Sequence, residues 1–249
     1  MGTLKSLGGG SPRSTAAFEV AFFGDDGSEI RQDLRDAAGV RFEDVPPVRW
    51  FPSYAGQRNY PGLYYAATMD RHVAFESWLE RNQAMALDFD PDIGGFAHQP
   101  FWLFWPGTDR LCSHAPDFFA RTADGSGVVI DCRPANRIRP RDARAFAATE
   151  KACAQAGWTF RLVTGHDQVW LDNVRWLAGY RHRRHHCEPA ASELATAFSQ
   201  PRPLGEGAAM AGDPIAVLPV LFHLLWSGQL AADLSQRLEA STMVTGRPA

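Results

Sequence analysis

The apolar pattern is densest between residues 71 and 163. Phe75, Trp78, Leu79, Ala86 and Leu87 recur at helical spacing and predict a helix over residues 71–88, on which Glu76 and Glu80 share another face at i and i+4. Further on, Asp117–Arg121 is aromatic, Ala123–Gly127 is a turn-forming cluster and Val128-Val129-Ile130 is β-branched. That is the pattern of a hairpin. Asp117 and Asp131 lie equally far either side of Asp124, so simple antiparallel pairing sets them opposite each other with β-carbons about 5 Å apart. Arg133, two residues beyond Asp131, shares its face of the strand.

Residues 96–105 read as one strand, pairing with Leu111–Ala115 or with the strand after it across Gly107-Thr108-Asp109. Phe146, Thr149, Cys153 and Ala156 form a helix stripe stopped by Gly157, and Trp158–Val163 is the next strand. Strand, helix, strand makes a parallel crossover, so the expected class is α/β with a mixed sheet flanked by helices. Before it, the aromatic pieces from Phe18 to Tyr65 are broken by Gly24-Asp25-Asp26-Gly27, Pro46-Pro47 and Pro52, which predicts a small β-rich N-terminal lobe over 17–70. Residues 1–16 are rich in Gly and Ser and are expected to be a disordered tail. Residues 173–180 read as a helix closing a core of 71–187, and 188–214 read as a linker, rich in Gly, Pro and Ala towards its end. Ile215–Trp226 and the Leu230, Leu234, Leu238 repeat flank a Ser-Gly turn and predict a small helical, winged-helix-like segment over 215–249.

Composition then narrows the function classes. A chain of 249 residues, 45% hydrophobic and 12% aromatic, can bury a sizeable core and suggests one main domain with a smaller companion. The net charge is only −3, so any nucleic-acid surface must be local. No apolar run approaches the ~20 residues that cross a bilayer, and residues 1–10 hold no apolar signal core, so a cytoplasmic protein with no membrane partner is expected. Cys112, Cys132, Cys153 and Cys187 are scattered with no CxxC pair, which argues against a disulfide framework or a zinc ribbon and fits a reducing compartment.

Candidate chemistry follows from the acids. Two carboxylates on one sheet face repel unless a cation sits between them, and one of Glu76 and Glu80 on the helix could reach the sheet edge to join Asp117 and Asp131 at a divalent metal. Arg133 is then set to touch a phosphate held by that metal. Arg137, Arg139, Arg141 and Arg144 follow the strand directly and are candidates for contacts to a DNA backbone. Segment 49–60 mixes arginines with aromatics and reads either as a packed aromatic subdomain or as a backbone or partner contact. His98 and His114 read as hydrogen-bonded framework residues rather than catalysts. The run Arg181–Cys187 reads as a basic, phosphate-binding or solvated segment rather than a zinc site, because its ligand types fall within a turn and a half.

Taken together, Ser77-Trp78-Leu79-Glu80, Phe89-Asp90-Pro91-Asp92-Ile93 leading to Gln99-Pro100, Pro116-Asp117-Phe118, and Ile130-Asp131-Cys132-Arg133-Pro134 resemble the TnsA-like endonuclease subunit of heteromeric transposases. These belong to the restriction-endonuclease-like nucleases with the Pro-Asp…Asp/Glu-x-Lys pattern, and the resemblance covers about residues 45–180. It implies a restriction-endonuclease-like fold in which Glu80, Asp117 and Asp131 hold one or two Mg²⁺ (or Mn²⁺) and hydrolyse phosphodiester bonds of double-stranded DNA. It also implies a second transposase subunit and an ATP-dependent regulator as partners. Arg133 stands at the family's lysine. Arg keeps the charge but cannot act as a base. Lys5 and Lys151 are the only lysines, so a general preference for Arg accounts for the exchange, and Lys151, on the following helix, is a candidate stand-in. Gln99 is a further reserve residue. The alternative is a nuclease fold that has lost cutting and binds DNA or scaffolds a mobile-element complex. A transcriptional regulator built on the C-terminal helix pair is a third reading, opposed by the single base, Arg237, on its second helix.

Overall fold

A computed structural model describes residues 18–49, 60–108 and 110–246. The expected N-terminal tail and the segment Trp50–Asn59 lie outside the described residues. The chain divides into two compact units, the described part of 1–87 with 92–165, and 88–91 with 166–249.

The first unit opens with β1 (Glu19–Phe23) and β2 (Glu29–Asp33), joined across the Gly24–Gly27 turn, where Gly27 takes φ +77°. A ribbon of β3 (Gly62–Ala66) and β4 (Arg71–Phe75) follows, then α1 (Trp78–Phe89), β5 (Ile93–His98), β6 (Trp102–Pro106), β7 (Leu111–His114), β8 (Phe118–Thr122) and β9 (Gly127–Cys132). After a 3-10 turn come α2 (Pro140–Ala156) and β10 (Thr159–Val163). Two four-stranded sheets result, in the orders β2-β1-β6-β7 and β10-β9-β8-β5. The mixed α/β class is as expected: β5, β8 and β9 pair antiparallel, and β10 returns parallel to β9 after α2. Val20, Phe22 and Leu103 of the first sheet share a core with Phe119 and Val129 of the second. Phe42 sits among them with ring centroids 5.1 Å from Phe22, 4.7 Å from Phe101 and 5.7 Å from Trp158.

Several expectations are corrected here. Residues 71–75 are strand, not helix, because Val73 and Phe75 face inward on a ribbon paired with Gly62–Ala66, and α1 starts only after Ser77. Residues 96–105 are two strands in different sheets, broken at Gln99-Pro100. A proline cannot donate to a ladder, and Gln99 adopts φ +43°, a left-handed conformation that turns the chain. Residues 17–70 form no separate lobe, since β1 pairs with β6 and buries Val20 in the shared core.

The second unit holds α3 (Gln168–Ala178), capped by Asp167, whose carboxylate accepts the Trp170 N–H at 2.9 Å. Then come α4 (Glu188–Ala197), β11 (Arg202–Pro203), α5 (Leu204–Ala211), α6 (Pro214–Trp226), β12 (Leu230–Ala232) and β13 (Met243–Gly246), with sheet order β11-β13-β12. The expected linker at 188–214 is therefore largely helix, because Leu194, Leu204 and Ala208 have an apolar interior to enter. Gly207 belongs to that interior: a Cβ there would strike the Phe198 ring. The expected helix over the Leu230–Leu238 repeat is instead strand β12 and a loop, tied to α3 by Asn173, which donates to the carbonyls of Leu234 and Gln236 and accepts from Leu238 N–H. Among the described residues no helix is long and apolar enough to cross a membrane.

Candidate active site

The first turn of α1 sets the position of Glu80. Ser77 Oγ accepts the Glu80 N–H at 3.3 Å and donates to Glu80 Oε1 at 2.8 Å, while Glu80 Oε2 accepts the Glu76 N–H at 2.7 Å. This is a capping-box arrangement, in which the acid three residues beyond the serine reaches back to the start of the helix. Burial works against ionisation of Glu80, but His98, the Glu76 N–H and Ser77 outweigh it and hold the carboxyl below its ordinary value. His98 Nε2 lies 3.6 Å from Glu80 Oε2. Glu76 is drawn aside: its Oε1 meets Arg49 at 3.1 Å and Gln99 Nε2 at 3.4 Å.

The β8–β9 register pairs Phe118 with Ile130, and its next step sets Asp117 opposite Asp131, as the spacing around Asp124 predicts. The pair is linked through the backbone. Asp117 N–H donates to Asp131 Oδ1 at 3.3 Å, and Asp117 Oδ2 accepts the Cys132 N–H at 2.7 Å. Burial, then the charges of Glu80, Asp131 and Glu76, push the Asp117 carboxyl well above its ordinary value against that single hydrogen bond. Asp131 has a different fate: His114 Nε2 lies 2.9 Å from both of its oxygens.

A cavity of about 570 Å³ opens over this region, with Glu76, Glu80, Asp117, Cys132, Arg133 and Arg137 in its wall. The structure thus brings Glu80, Asp117 and Arg133 to one space, with Glu76 beside them. Asp131 is buried behind that wall against His114, Gln99 meets the site through Glu76 and through its backbone N–H, which donates to the Asp117 carbonyl at 3.0 Å, and Lys151 is exposed on α2 and does not line the cavity. Arg133 is partly exposed, its Nε 3.8 Å from Asp142. Of the four arginines that follow, Arg137 lines the cavity, while Arg141 pairs with Asp142 at 3.4 Å and the backbone N–H of Arg139 donates to the same carboxylate. Arg144 is exposed on α2.

Three features of the site go beyond the residues the sequence singles out. The capping role of Ser77 does have a local signal, the Ser77-x-x-Glu80 spacing. The His114–Asp131 contact joins two different sheets and leaves no local signal. Cys132 enters the cavity wall, where burial and the charges of Asp117, Glu80 and Asp131 push its thiol upward, so it stays protonated. His98 and Gln99 are buried, and neither ring nitrogen of His98 nor Gln99 Oε1 has a hydrogen-bond partner.

Among the described residues no three His, Cys, Asp or Glu side chains converge as a metal cage. Mg²⁺ is nevertheless commonly held by one or two carboxylates together with water and substrate phosphates. Glu80 and Asp117 supply such a pair in the wall of one cavity. No protein-family model matches the chain, and no significant match was found among curated proteins.

Proposed function

We propose that the first unit is a metal-dependent DNA endonuclease of the TnsA-like, restriction-endonuclease-like kind. The observation that carries this reading is the placement of Glu80 and Asp117 with Arg133 in the wall of one cavity, the Asp117 carboxyl being raised by burial and then by the acids around it. Glu80 and Asp117 would hold Mg²⁺ or Mn²⁺, with Asp131 joining them if His114 lets it go. Held there by Glu80 and Asp117, a divalent ion would supply a bound water of lowered pKa and positive charge against the phosphate. Arg133 holds the scissile phosphate, exchanging its long contact with Asp142 for a phosphate oxygen, and Arg137 positions the strand next to it. Double-stranded DNA is the macromolecular substrate, reached in the cytoplasm, a setting supported by four free cysteines.

In the second unit the order α4-β11-α5-α6-β12-β13 is that of a winged helix. Helix α6, at the position of a DNA-reading helix, contains neither Lys nor Arg. This supports docking to protein, with a second transposase subunit or an ATP-dependent regulator as the partner, over sequence readout.

Calorimetry with Mn²⁺, followed by nicking of supercoiled plasmid in the same samples, tests the proposal. The parent is expected to bind and to nick only with metal, and Asp117→Ala to do neither; no binding by the parent would overturn it. A second reading, a DNA-binding scaffold that has lost cutting, is favoured by the hold of His114 on Asp131 and by the use of Glu80 as a helix cap. It predicts DNA binding without nicking at any metal concentration.

A further inference from the structure

Beside the acids, the same cavity carries two large aromatic side chains that the fold leaves in solvent. Tyr60 is 63% exposed and Trp78 is 54% exposed. Their ring centroids lie 5.8 Å apart with planes tilted by 36°, and the Arg81 guanidinium carbon lies 5.3 Å from the Trp78 ring. Burying an aromatic side chain stabilises a fold, and Trp158 and Trp226 are both buried. Trp78 forgoes that. It is the first residue of α1, two positions before Glu80, and lines the same cavity.

We propose that Tyr60 and Trp78 are a stacking platform for an unpaired nucleobase, on the strand whose phosphate lies against Arg133 and Arg137. The chemistry of the wall matches a nucleotide in parts: flat aromatic faces for the base, and arginines for the backbone. Arg137 is exposed and, among the described residues, forms no ion pair with a carboxylate. A continuous duplex keeps its bases stacked inside and offers the rings nothing, so the platform selects DNA that is single-stranded, frayed or flapped beside the bound phosphate. This inference rests on the nucleic-acid reading of the cavity and names its substrate class.

The test is fluorescence anisotropy of the full chain, in buffer with Ca²⁺ and no Mg²⁺, on a labelled single strand and on the blunt duplex of the same sequence. A 2-aminopurine in the single strand reports stacking directly. The parent is expected to prefer the single strand and to quench the 2-aminopurine. Trp78→Ala is expected to weaken that binding about 5- to 150-fold, the effect of removing one base–aromatic stack, and to abolish the quench, whereas Trp78→Phe keeps most of both. Tyr60→Ala is a second variant with a smaller loss. Both side chains are exposed, so folding is retained, which circular dichroism checks. Equal binding of strand and duplex, or a quench unchanged in Trp78→Ala, would overturn the platform. A parent that binds the single strand and quenches but neither binds Mn²⁺ nor nicks keeps the platform and refutes the nuclease.

Discussion

Phe119 and Asp117 stand two residues apart on and before β8, yet one belongs to the most complete part of the molecule and the other to the least. Phe119 is fully buried, with Phe42 at 5.6 Å and Trp158 at 5.2 Å between ring centroids. The fit there is tight enough that a Cβ on Gly127 would come within 2.5 Å of the Trp158 ring. Around Asp117, by contrast, burial and then three neighbouring acids push the carboxyl up, Gln99 is held at a left-handed φ, and His98 Nδ1 and Gln99 Oε1 are buried without hydrogen-bond partners. Each such buried orphan costs about 1–3 kcal/mol. Stability is concentrated on one stretch of the ribbon and given up at its end, which is the pattern of a site completed by a ligand.

Substitutions sharpen this contrast. The largest effect is expected in the core: Phe119→Ala should lower the free energy of unfolding by about 3–5 kcal/mol in urea titrations, through lost burial and the cavity left behind. His114→Ala should cost about 2–3 kcal/mol, because the Asp131 carboxylate stays buried without its partner, and His114→Gln should recover part of the loss. Asp117→Asn should go the other way and raise the melting temperature of the metal-free protein at pH 8. The sign follows from the raised carboxyl. Over the window from the ordinary value near 4 up to the raised one, the folded state holds a proton that the unfolded state has lost, so stability falls as pH rises. Thermal melts in EDTA should therefore decline more steeply with pH in the parent than in Asp117→Asn; parallel curves would show that the Asp117 carboxyl is not raised. Arg133→Ala, last and smallest, should change stability by under about 0.5 kcal/mol and lower the salt slope of DNA binding by about 1.

Local pattern is where the sequence speaks most clearly. The turn around Asp124 is flanked by residues that can pair in only one convenient way, so the opposition of Asp117 and Asp131 is legible from residue spacing alone, as is the α2 crossover ended by Gly157. What the pattern misses is long-range. The run 96–105 does carry a break signal in His98-Gln99-Pro100, since a proline cannot continue a ladder, but nothing local shows that its two halves join different sheets. The Leu230–Leu238 repeat mimics a helix, but Asn173, some sixty positions earlier, holds its backbone in another shape. Opposition of two acids across a ribbon does not bring both side chains into one cavity, because His114 comes from the other sheet to claim Asp131.

The pairing of β1 with β6 also bears on the order in which the molecule is made. Glu19 meets Phe104, so the first strand leaves the ribosome with no permanent neighbour on that side and waits for roughly 85 more residues. At 5–20 residues per second that is about 4–17 s of exposure for Val20 and Phe22, whereas β8 finds β9 almost as soon as both are synthesised. Because β9 ends at Cys132, the β1–β6 pairing can close before the acid-bearing ribbon has been synthesised. A synthesis stalled before residue 102 would present an apolar edge to chaperones rather than a finished lobe.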